Sequence, residues 1–252
     1  MNSFNGTFDG NGHTISNLNI DSGLAEGNRH GLFATLEKNA TVKNLTVKNA
    51  NVFSSNTPVE GSGVIAKVNN GKIEKCFVDS ATVQLGNWAN LGGIAGANNG
   101  TINNCGVVNS NLTRRWGGSS SSCNKSIGGI SERNNGKITN CFTYNCNFTN
   151  GNSTTKGAII SSGNEPENCY YYTTSNVNSA YGISKNIEDF DSGVVAYLLN
   201  YGIADGSQAW FQNIDNGLTP DNYPVLTNNG KNTVEGTIIS LYALEIDCFN
   251  RF

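Results

Sequence analysis

The stretch from Gly92 to Val107 reads GGIAGANNGTINNCGV, and close variants of it recur along the chain. The variants begin at Gly31 (GLFATLEKNATVKNLTV), Gly63 (GVIAKVNNGKIEKCFV), Gly128 (GGISERNNGKITNCFT) and, in a degenerate form, Gly157 (GAIISSGNEPENCYYY). A phrase repeated about every thirty residues is typical of a solenoid, a propeller or a repeat array. The repeat therefore limits the architecture before any single residue is considered.

Each copy contains a smaller signature, an apolar residue followed by others three and five positions later. It reads Ile15/Leu18/Ile20, Val42/Leu45/Val47, Ile73/Cys76/Val78, Ile102/Cys105/Val107 and Ile138/Cys141/Thr143. Residues two apart lie on one face of a strand, whereas a spacing of three breaks that alternation and implies a bend. Asn-Asn-Gly precedes the signature in three copies and is typical of a tight turn with a left-handed backbone. Each copy is therefore predicted to form strand, turn, strand, corner and strand.

These elements, repeated at this interval, predict an all-β fold, a right-handed parallel β-helix of about six coils. The middle position of the signature recurs at 18, 45, 76, 105, 141 and 169, so we expect insertions to be confined to loops. Coils stacked about 4.7–4.9 Å apart give a column roughly 30 Å tall. Helical repeats are set aside because the segments are rich in Asn, Gly, Thr and Val rather than in helix formers.

The run FNGTFDGNGHTISNLNI from Phe4, GLF from Gly31 and the later GGIAG and I-x-N-C-x-V phrases resemble the GLUG-motif repeats of large bacterial surface and secreted proteins. The resemblance spans about residues 4–177 and implies a bacterial extracellular module. Repeats of this family occur in adhesin-like proteins and beside the protease region of an immunoglobulin-cleaving surface protein, and are not known as a catalytic motif. In the fifth copy Pro166 stands where Ile73 and Ile102 align, so we expect regular coiling to end there.

A change of composition divides the chain into a repeat domain, residues 1–185, and a capping segment with a tail, residues 186–252. Asp191 or Ser192 is the predicted N-cap of a helix. The predicted apolar face of this helix is Val194, Val195, Leu198 and Leu199. The predicted core of the cap is aromatic and contains Trp210, Phe211 and Tyr223. Such a cap covers the unpaired strand edges that an open β-helix end exposes. The tail from Thr237 is too short and too charged to span a membrane.

The 252 residues are only 14% charged and carry a net charge of −3, so amide and hydroxyl groups supply most of the polarity. This balance argues against a nucleic-acid or membrane-surface partner. The first twenty residues contain no basic start followed by an apolar run, so no signal peptide is recognised. Because the resemblance implies an extracellular or cell-surface location, we expect the chain to be a piece of a longer exported protein.

Seven cysteines are present, and their spacing argues against a disulfide framework. Cys76, Cys105 and Cys141 occupy the same inward position on successive coils, with Cys169 as the approximate continuation, which predicts a ladder of packed free thiols. A disulfide between neighbouring coils is the alternative, because the coil spacing does not forbid the required Cα separation. No C-x-x-C pair or histidine partner is present, so no metal and no other cofactor is expected.

Parallel β-helices include polysaccharide lyases and hydrolases, whose chemistry requires clustered carboxylates. The acidic residues of the coils, such as Glu74, Asp79 and Glu132, lie at unrelated positions of the repeat. Asp9 is better explained as part of the turn that enters the first coil. The only histidines, His13 and His30, have no serine or cysteine partner in register. We therefore predict no catalytic residue, and a carbohydrate-active enzyme is the second hypothesis.

Two tryptophans, Trp88 and Trp116, follow the same apolar position in consecutive coils and are expected at one edge of the column. Arg114 and Arg115 adjoin the second tryptophan, and the longest insertion, residues 117–126, comes directly after it. Exposed aromatic faces beside hydrogen-bonding groups are what a sugar ring or a protein partner contacts. The alternative interpretation is that both indoles fold back over the column as loop anchors.

These patterns together predict a non-catalytic adhesin-like or stalk module of a bacterial surface protein. The stiff column presents loops to a host or dietary glycan or to a surface protein, and repetition in a longer parent strengthens weak contacts. The candidate contacts are Trp88, Arg114, Arg115 and Trp116. Neither nucleic acid nor membrane insertion is part of this prediction. A purely mechanical spacer is the third hypothesis.

Overall fold

The computed structural model describes residues 3–21, 31–53, 61–85, 90–114, 126–149, 155–179, 181–203, 207–214 and 220–226. The chain divides into two compact units, Met1–Ile183 and Ser184–Phe252. The first unit contains almost all of the described strands, and the second contains the two described helices.

The first unit is built from four parallel sheets, whose strands are numbered in chain order. Sheet 1 contains β1 (Ser3–Phe4), β5 (Phe33–Leu36), β9 (Ala66–Asn69), β13 (Ala95–Asn98), β18 (Ser131–Asn134) and β23 (Ile160–Gly163). Sheet 2 contains β2 (Thr7–Asp9), β3 (Thr14–Ser16), β6 (Thr41–Lys48), β10 (Lys72–Asp79), β14 (Thr101–Asn103), β15 (Gly106–Val108), β19 (Lys137–Thr139), β20 (Phe142–Tyr144) and β24 (Tyr170–Tyr172). Sheet 3 contains β4 (Asn19–Asp21), β7 (Asn51–Phe53), β11 (Thr82–Leu85), β16 (Asn111–Arg114) and β21 (Asn147–Thr149). Sheet 4 contains β8 (Gly61–Ser62), β12 (Asn90–Gly92), β17 (Ile127–Gly128) and β22 (Lys156–Gly157). The short strand β25 (Ile183–Ser184) lies at the boundary of the two units.

One turn of the chain passes through the four sheets in order, so equivalent residues of successive turns stack. In sheet 2, Val42 pairs with Ile73, Ile73 with Ile102, and Ile102 with Ile138. The inward side chains of these turns are buried and form one continuous core. Sheet 4 has four strands, so four turns are described on all four sheets, with partial turns before and after them. The predicted parallel β-solenoid is confirmed.

Each turn has two corners at which one residue adopts a left-handed backbone. At the first corner these residues are Asn44, Lys75, Asn104, Asn140 and Asn168. At the second corner they are Asn17, Asn49, Ser80, Asn109 and Asn145. Asparagine is favoured there because its short polar side chain tolerates a positive φ. Each corner turns the following residue inward, so buried residues succeed one another at alternate spacings of three and two, as in Val42, Leu45, Val47, Ala50 and Val52.

The first turn is offset from the alignment that the sequence suggests. Ile15 pairs with Val47 and not with Val42, so it belongs to the second corner of its turn. The predicted match of Leu18 to Leu45 is wrong for the same reason. Both corners share the spacing of three and then two, and the signature therefore fits either corner equally well.

The three Asn-Asn-Gly segments stack on one another as asparagine ladders. None of their residues has a positive φ, so they do not form the predicted left-handed turns. The first asparagines of the segments, Asn69, Asn98 and Asn134, are fully buried. Asn69 Nδ2 donates to Asn98 Oδ1 at 2.8 Å, and Asn98 Nδ2 donates to Asn134 Oδ1 at 2.8 Å. The second asparagines form an exposed ladder, in which Asn99 Nδ2 donates to Asn70 Oδ1 at 2.9 Å. The chain does bend at these segments, where it passes from sheet 1 to sheet 2, but without the left-handed backbone that the sequence predicts.

The predicted cysteine ladder is present in the core. Cys76, Cys105, Cys141 and Cys169 are free, buried thiols on successive turns. The backbone N–H of Cys105 lies 3.4 Å from Cys141 Sγ, and the N–H of Cys141 lies 3.4 Å from Cys169 Sγ. Cys146 is a fifth buried thiol, at the second corner of its turn, and burial raises its pKa to about 12. Packing rather than cross-linking explains the repeated cysteine.

We expect the five described thiols to be inert in the folded protein. Thiol reagents attack thiolates, and burial blocks the access of the reagent to the sulfur. Reaction with an aromatic disulfide reagent should be at least about a thousandfold slower for these thiols in native buffer than in denaturant. Cys123 and Cys248, which lie outside the described residues, complete the seven cysteines. Rapid modification of more than two thiols in native buffer would contradict the packed ladder.

Strand pairing weakens at Pro166 but does not end there. Sheet 2 is reduced at this point to a single bridge between Thr139 and Glu167, because proline has no N–H to donate. Pairing resumes at Tyr170–Tyr172, which lies beside Phe142–Tyr144. The end of coiling predicted at Pro166 is therefore too early.

The second unit begins with two short helices in place of the single helix predicted. Its elements are α1 (Ile187–Asp191), α2 (Val194–Leu199) and the antiparallel pair β26 (Trp210–Phe211) and β27 (Val225–Leu226). Asn186 is the N-cap of α1 and forms a capping box with Asp189. The predicted helix corresponds to α2, whose N-cap is Gly193, so the predicted N-cap at Asp191 or Ser192 is wrong. Gly193, with a φ of 82°, separates the two helices, because a left-handed residue cannot continue α1.

The interior of the second unit contains part of the predicted apolar set. Trp210 is fully buried, whereas Phe211 and Tyr223 are half-buried. Val195 and Leu199 are the two buried residues of the predicted helix face. Within the described ranges, neither helix has the length and hydrophobicity needed to cross a membrane. The covering role predicted for this unit stays a prediction.

Candidate binding edge

The segments that carry the predicted binding residues connect sheet 3 to sheet 4. Trp88 follows β11, while Arg115 and Trp116 follow β16, and all three lie outside the described residues. The strands that these segments leave are stacked, since Leu85 pairs with Arg114. The strands that they enter, β12 and β17, are also paired in register. The two segments therefore start and end one strand spacing apart, about 4.7–4.9 Å.

All described turns make their connection from sheet 3 to sheet 4 at this same corner, which we call the variable corner. Its connecting segments are residues 54–60, 86–89, 115–125 and 150–154. Successive turns differ in length mainly here, because the strands on either side keep their register. The differences in length between turns therefore lie along one edge of the solenoid, as expected if insertions are confined to loops.

Arg114 does not present its guanidinium to solvent beside the variable corner. Its side chain is 5% exposed, and Leu85, which stacks beside it, belongs to the core. Arg114 and Glu132 are the two buried charged residues in the described part of the chain. Because the side chain of Arg114 is buried, it is not accessible to a ligand at the surface. We therefore remove Arg114 from the candidate ligand contacts. The role of Arg115 stays a prediction.

The outer face of sheet 3 adjoins the variable corner and consists mainly of uncharged polar side chains. Its strands alternate these with buried inward residues, which are Val52, Val83, Leu112 and Phe148. One outward row is exposed and contains Asn51, Thr82, Asn111 and Asn147. From the second turn onward, a second row nearer the corner contains Phe53, Gln84, Thr113 and Thr149, and Asp21 precedes Phe53 in the first turn. We call these two rows the polar face.

Strand stacking makes the polar face a regular grid of hydrogen-bonding groups. The rows repeat about every 4.7–4.9 Å across the strands, and positions in one strand lie roughly 6.5 Å apart. Amides and hydroxyls both donate and accept hydrogen bonds, so the grid can contact a ligand that carries many hydroxyl groups. Sequence reasoning overlooked this face, although the alternation in Thr82-Val83-Gln84-Leu85 marks its outward positions.

Asp9 is held in a turn, in agreement with the sequence-based interpretation. Its carboxylate accepts from the Asn11 N–H at 2.9 Å and from Asn44 Nδ2 at 3.0 Å. It also pairs with Lys43 at 3.3 Å. The hydrogen bond from Asn44 is the main cause that holds the pKa of Asp9 below its ordinary value. His13 lies exposed in the same turn, and these contacts give Asp9 a structural role.

Other carboxylates of the solenoid form separate contacts along the stack. Asp79 pairs with Lys48 at 3.2 Å, and Glu167 pairs with Lys137 at 3.2 Å. Within the described ranges, no three His, Cys, Asp or Glu side chains come together as a group that could hold a metal ion. His30 lies outside those ranges. The variable corner and the polar face are thus the best-supported candidate site.

The fold places the chain in the class of parallel β-solenoids. No protein-family model and no curated protein matches its sequence. It is similar to a solved structure described as "Crystal structure of a putative immunoglobulin A1 protease from Bacteroides ovatus". The two proteins share 19% sequence identity with a TM-score of 0.55, over 88% of this chain and 77% of the other. At this identity the likeness shows the fold alone.

Proposed function

We propose that the chain is a non-catalytic, extracellular binding module whose variable corner and polar face contact a neutral glycan. The observation that carries this proposal is the stacking of β11 on β16 and of β12 on β17. Because of this stacking, the segments that bear Trp88 and Trp116 start and end in adjacent turns. Both segments adjoin the uncharged amides and hydroxyls of the polar face. Aromatic faces for sugar rings and polar groups for hydroxyls are the complementary parts of a glycan site.

Charge favours a neutral ligand over an anionic one. Arg114 is buried and cannot neutralise an anion at the surface. The exposed row of the polar face contains only asparagine and threonine, and the whole chain has a net charge of −3. An anionic polymer requires a basic surface, because its binding depends on counterion release.

The extracellular part of the proposal rests on the resemblance to GLUG-motif repeats, whose known settings are bacterial surface and secreted proteins. In that setting the chain acts as an adhesin-like module of a longer protein. The protease name of the similar structure belongs to that protein, and a shared solenoid supports no catalytic role here.

A screen of the purified chain against neutral host and plant glycans tests this proposal. The double variant Trp88→Ala/Trp116→Ala should weaken binding at least about a hundredfold, because aromatic anchors dominate such contacts. Tyr201→Ala is the matched control, since Tyr201 is 59% exposed in the second unit and should leave binding unchanged. If the chain binds no glycan on the array, or if the double variant binds as well as wild type, the proposal fails and the spacer hypothesis takes its place.

Substitutions on the polar face test its own contribution. Asn111→Asp adds one charge to the exposed row while keeping the side-chain shape, and we expect it to weaken glycan binding about tenfold. Asn5→Asp adds the same charge at an exposed position of the first turn and should have no effect. Equal affinities for the two variants would remove the polar face from the site and leave only the variable corner.

A further inference from the structure

Three Asn-Gly dipeptides stack where the chain passes from sheet 1 to sheet 2, and we call them the Asn-Gly ladder. They are Asn70-Gly71, Asn99-Gly100 and Asn135-Gly136. Asparagine before glycine is open to attack by the next backbone nitrogen, because glycine has no side chain to shield that nitrogen or restrict its backbone. The glycan proposal makes no use of these residues, so the ladder raises a separate chemical question.

The packing of the turns requires glycine at the second position of each dipeptide. A Cβ atom at Gly100 would overlap the carbonyl oxygen of Gly71, and one at Gly136 would overlap that of Gly100. The obstacle in each case is the backbone of the preceding turn, which strand pairing holds in place. The solenoid therefore cannot avoid the reactive dipeptide by placing a larger residue after the asparagine.

The nitrogen of each of these glycines is engaged in a hydrogen bond. The Gly100 N–H donates to the Asn69 carbonyl at 3.0 Å, and the Gly136 N–H donates to the Asn98 carbonyl at 3.2 Å. The Gly71 N–H donates to Asn69 Oδ1 at 3.1 Å. A backbone nitrogen becomes a nucleophile by giving up its proton to a base in solvent. The bonds to buried or backbone oxygens oppose this step, because they hold the proton away from water.

The asparagine side chains are also held, although Asn99 and Asn135 are exposed. Asn99 Nδ2 donates to Asn70 Oδ1 at 2.9 Å, and Asn99 Oδ1 accepts from Asn135 Nδ2 at 2.9 Å. Ring closure at Asn99 draws its side-chain carbon onto the Gly100 nitrogen and expels Nδ2. It therefore ends the bond to Asn70 and displaces the acceptor of Asn135.

We propose that the Asn-Gly ladder is a latent deamidation site that reacts only when a turn of the solenoid opens. In the open turn the glycine nitrogen loses its proton to water and bonds to the side-chain carbonyl carbon, and ammonia leaves. Water then opens the resulting succinimide at either carbonyl and yields aspartate or isoaspartate. Isoaspartate adds one carbon to the backbone at a position where the turns are in close contact. Each event therefore disturbs the stacking of the neighbouring turns.

Mass spectrometry of the full chain tests this proposal, after incubation in warm, mildly alkaline buffer with and without denaturant. Digestion after incubation reports the deamidation rate at each asparagine separately. At Asn70, Asn99 and Asn135 we expect rates at least about tenfold lower in native buffer than in denaturant. Asn5-Gly6 is the internal comparison, because Asn5 is exposed and a Cβ at Gly6 would meet only the Phe4 ring. Its rate should fall by less than about threefold on folding.

Equal native and denatured rates at the ladder would overturn the proposal, and so would equal protection of Asn5. The variant Asn70→Ala then tests the side-chain bonds, since it removes the acceptor of Asn99 Nδ2 and leaves the Gly100 bond to the Asn69 carbonyl in place. We expect the native rate at Asn99 to rise at least about threefold. Asn135 is the internal control, because a general loss of stability would raise its rate as much. An unchanged rate at Asn99, or an equal rise at Asn135, would show that the side-chain ladder does not gate the reaction.

Discussion

Replacing Gly128 by alanine is expected to lower the free energy of unfolding by at least about 3 kcal/mol. A Cβ atom at this position would overlap the backbone carbonyl oxygen of Ser131, three residues later. Gly92 and Gly157 make the same close approach in the neighbouring turns. The obstacle is backbone held by strand pairing, so it cannot rotate away as a flexible side chain can. This contact explains the glycine at the start of the repeated phrase.

The matched control for this variant is Gly6→Ala in the first turn. The Cβ added there meets only the ring of Phe4, at 3.4 Å, which is an ordinary contact. We expect the control to change the unfolding free energy by less than about 1 kcal/mol. Urea denaturation of both variants measures the difference. Equal midpoints for the two variants would show that the solenoid turn accommodates a side chain, against the present structure.

The second large effect is expected at the buried asparagine ladder. Asn98→Ala removes the acceptor of Asn69 Nδ2 and the donor to Asn134 Oδ1, and both of those groups are buried. Leaving buried polar groups without partners costs about 1–3 kcal/mol each, so we expect a loss of about 2–4 kcal/mol. Asn69 retains a bond to the Thr101 carbonyl at 3.1 Å, which limits the loss.

Asn99→Ala is the control for the ladder, because Asn99 is the second asparagine of the same Asn-Asn-Gly segment and is exposed. When the side chain is removed, water takes its place as donor to Asn70 Oδ1 and as acceptor from Asn135 Nδ2, and the expected cost is below about 1 kcal/mol. Thermal and urea unfolding of both variants provide the comparison. If Asn98→Ala were as stable as Asn99→Ala, the buried amides would contribute little to the solenoid.

The repeat predicts the fold because its spacing of three and two has few structural solutions. It does not fix the register of the first turn, since the signature occurs at both corners and Ile15 satisfies either one. Composition around Asn-Asn-Gly likewise suggests a left-handed turn, whereas the segments bend without a positive φ and their asparagines stack between successive turns. The register and the backbone conformation at these positions depend on contacts between residues about thirty positions apart. A local sequence pattern does not show those contacts.

The candidate site was predictable only in part. Spacing alone indicates that Trp88 and Trp116 belong to consecutive turns, and the paired strands on both sides agree with that. Sequence proximity to Trp116 also suggested Arg114, but strand alternation turns its side chain inward beside Leu85. The polar face follows from the same alternation and becomes visible only when the strands are stacked.

Isothermal titration of a neutral glycan into the chain at low and at high salt tests the central claim most directly. The uncharged polar face predicts affinities within about twofold of each other at the two salt concentrations. It also predicts at least about a hundredfold loss in Trp88→Ala/Trp116→Ala. Binding that weakens steeply with salt, or that survives in the double variant, would contradict a neutral glycan held at the variable corner and the polar face.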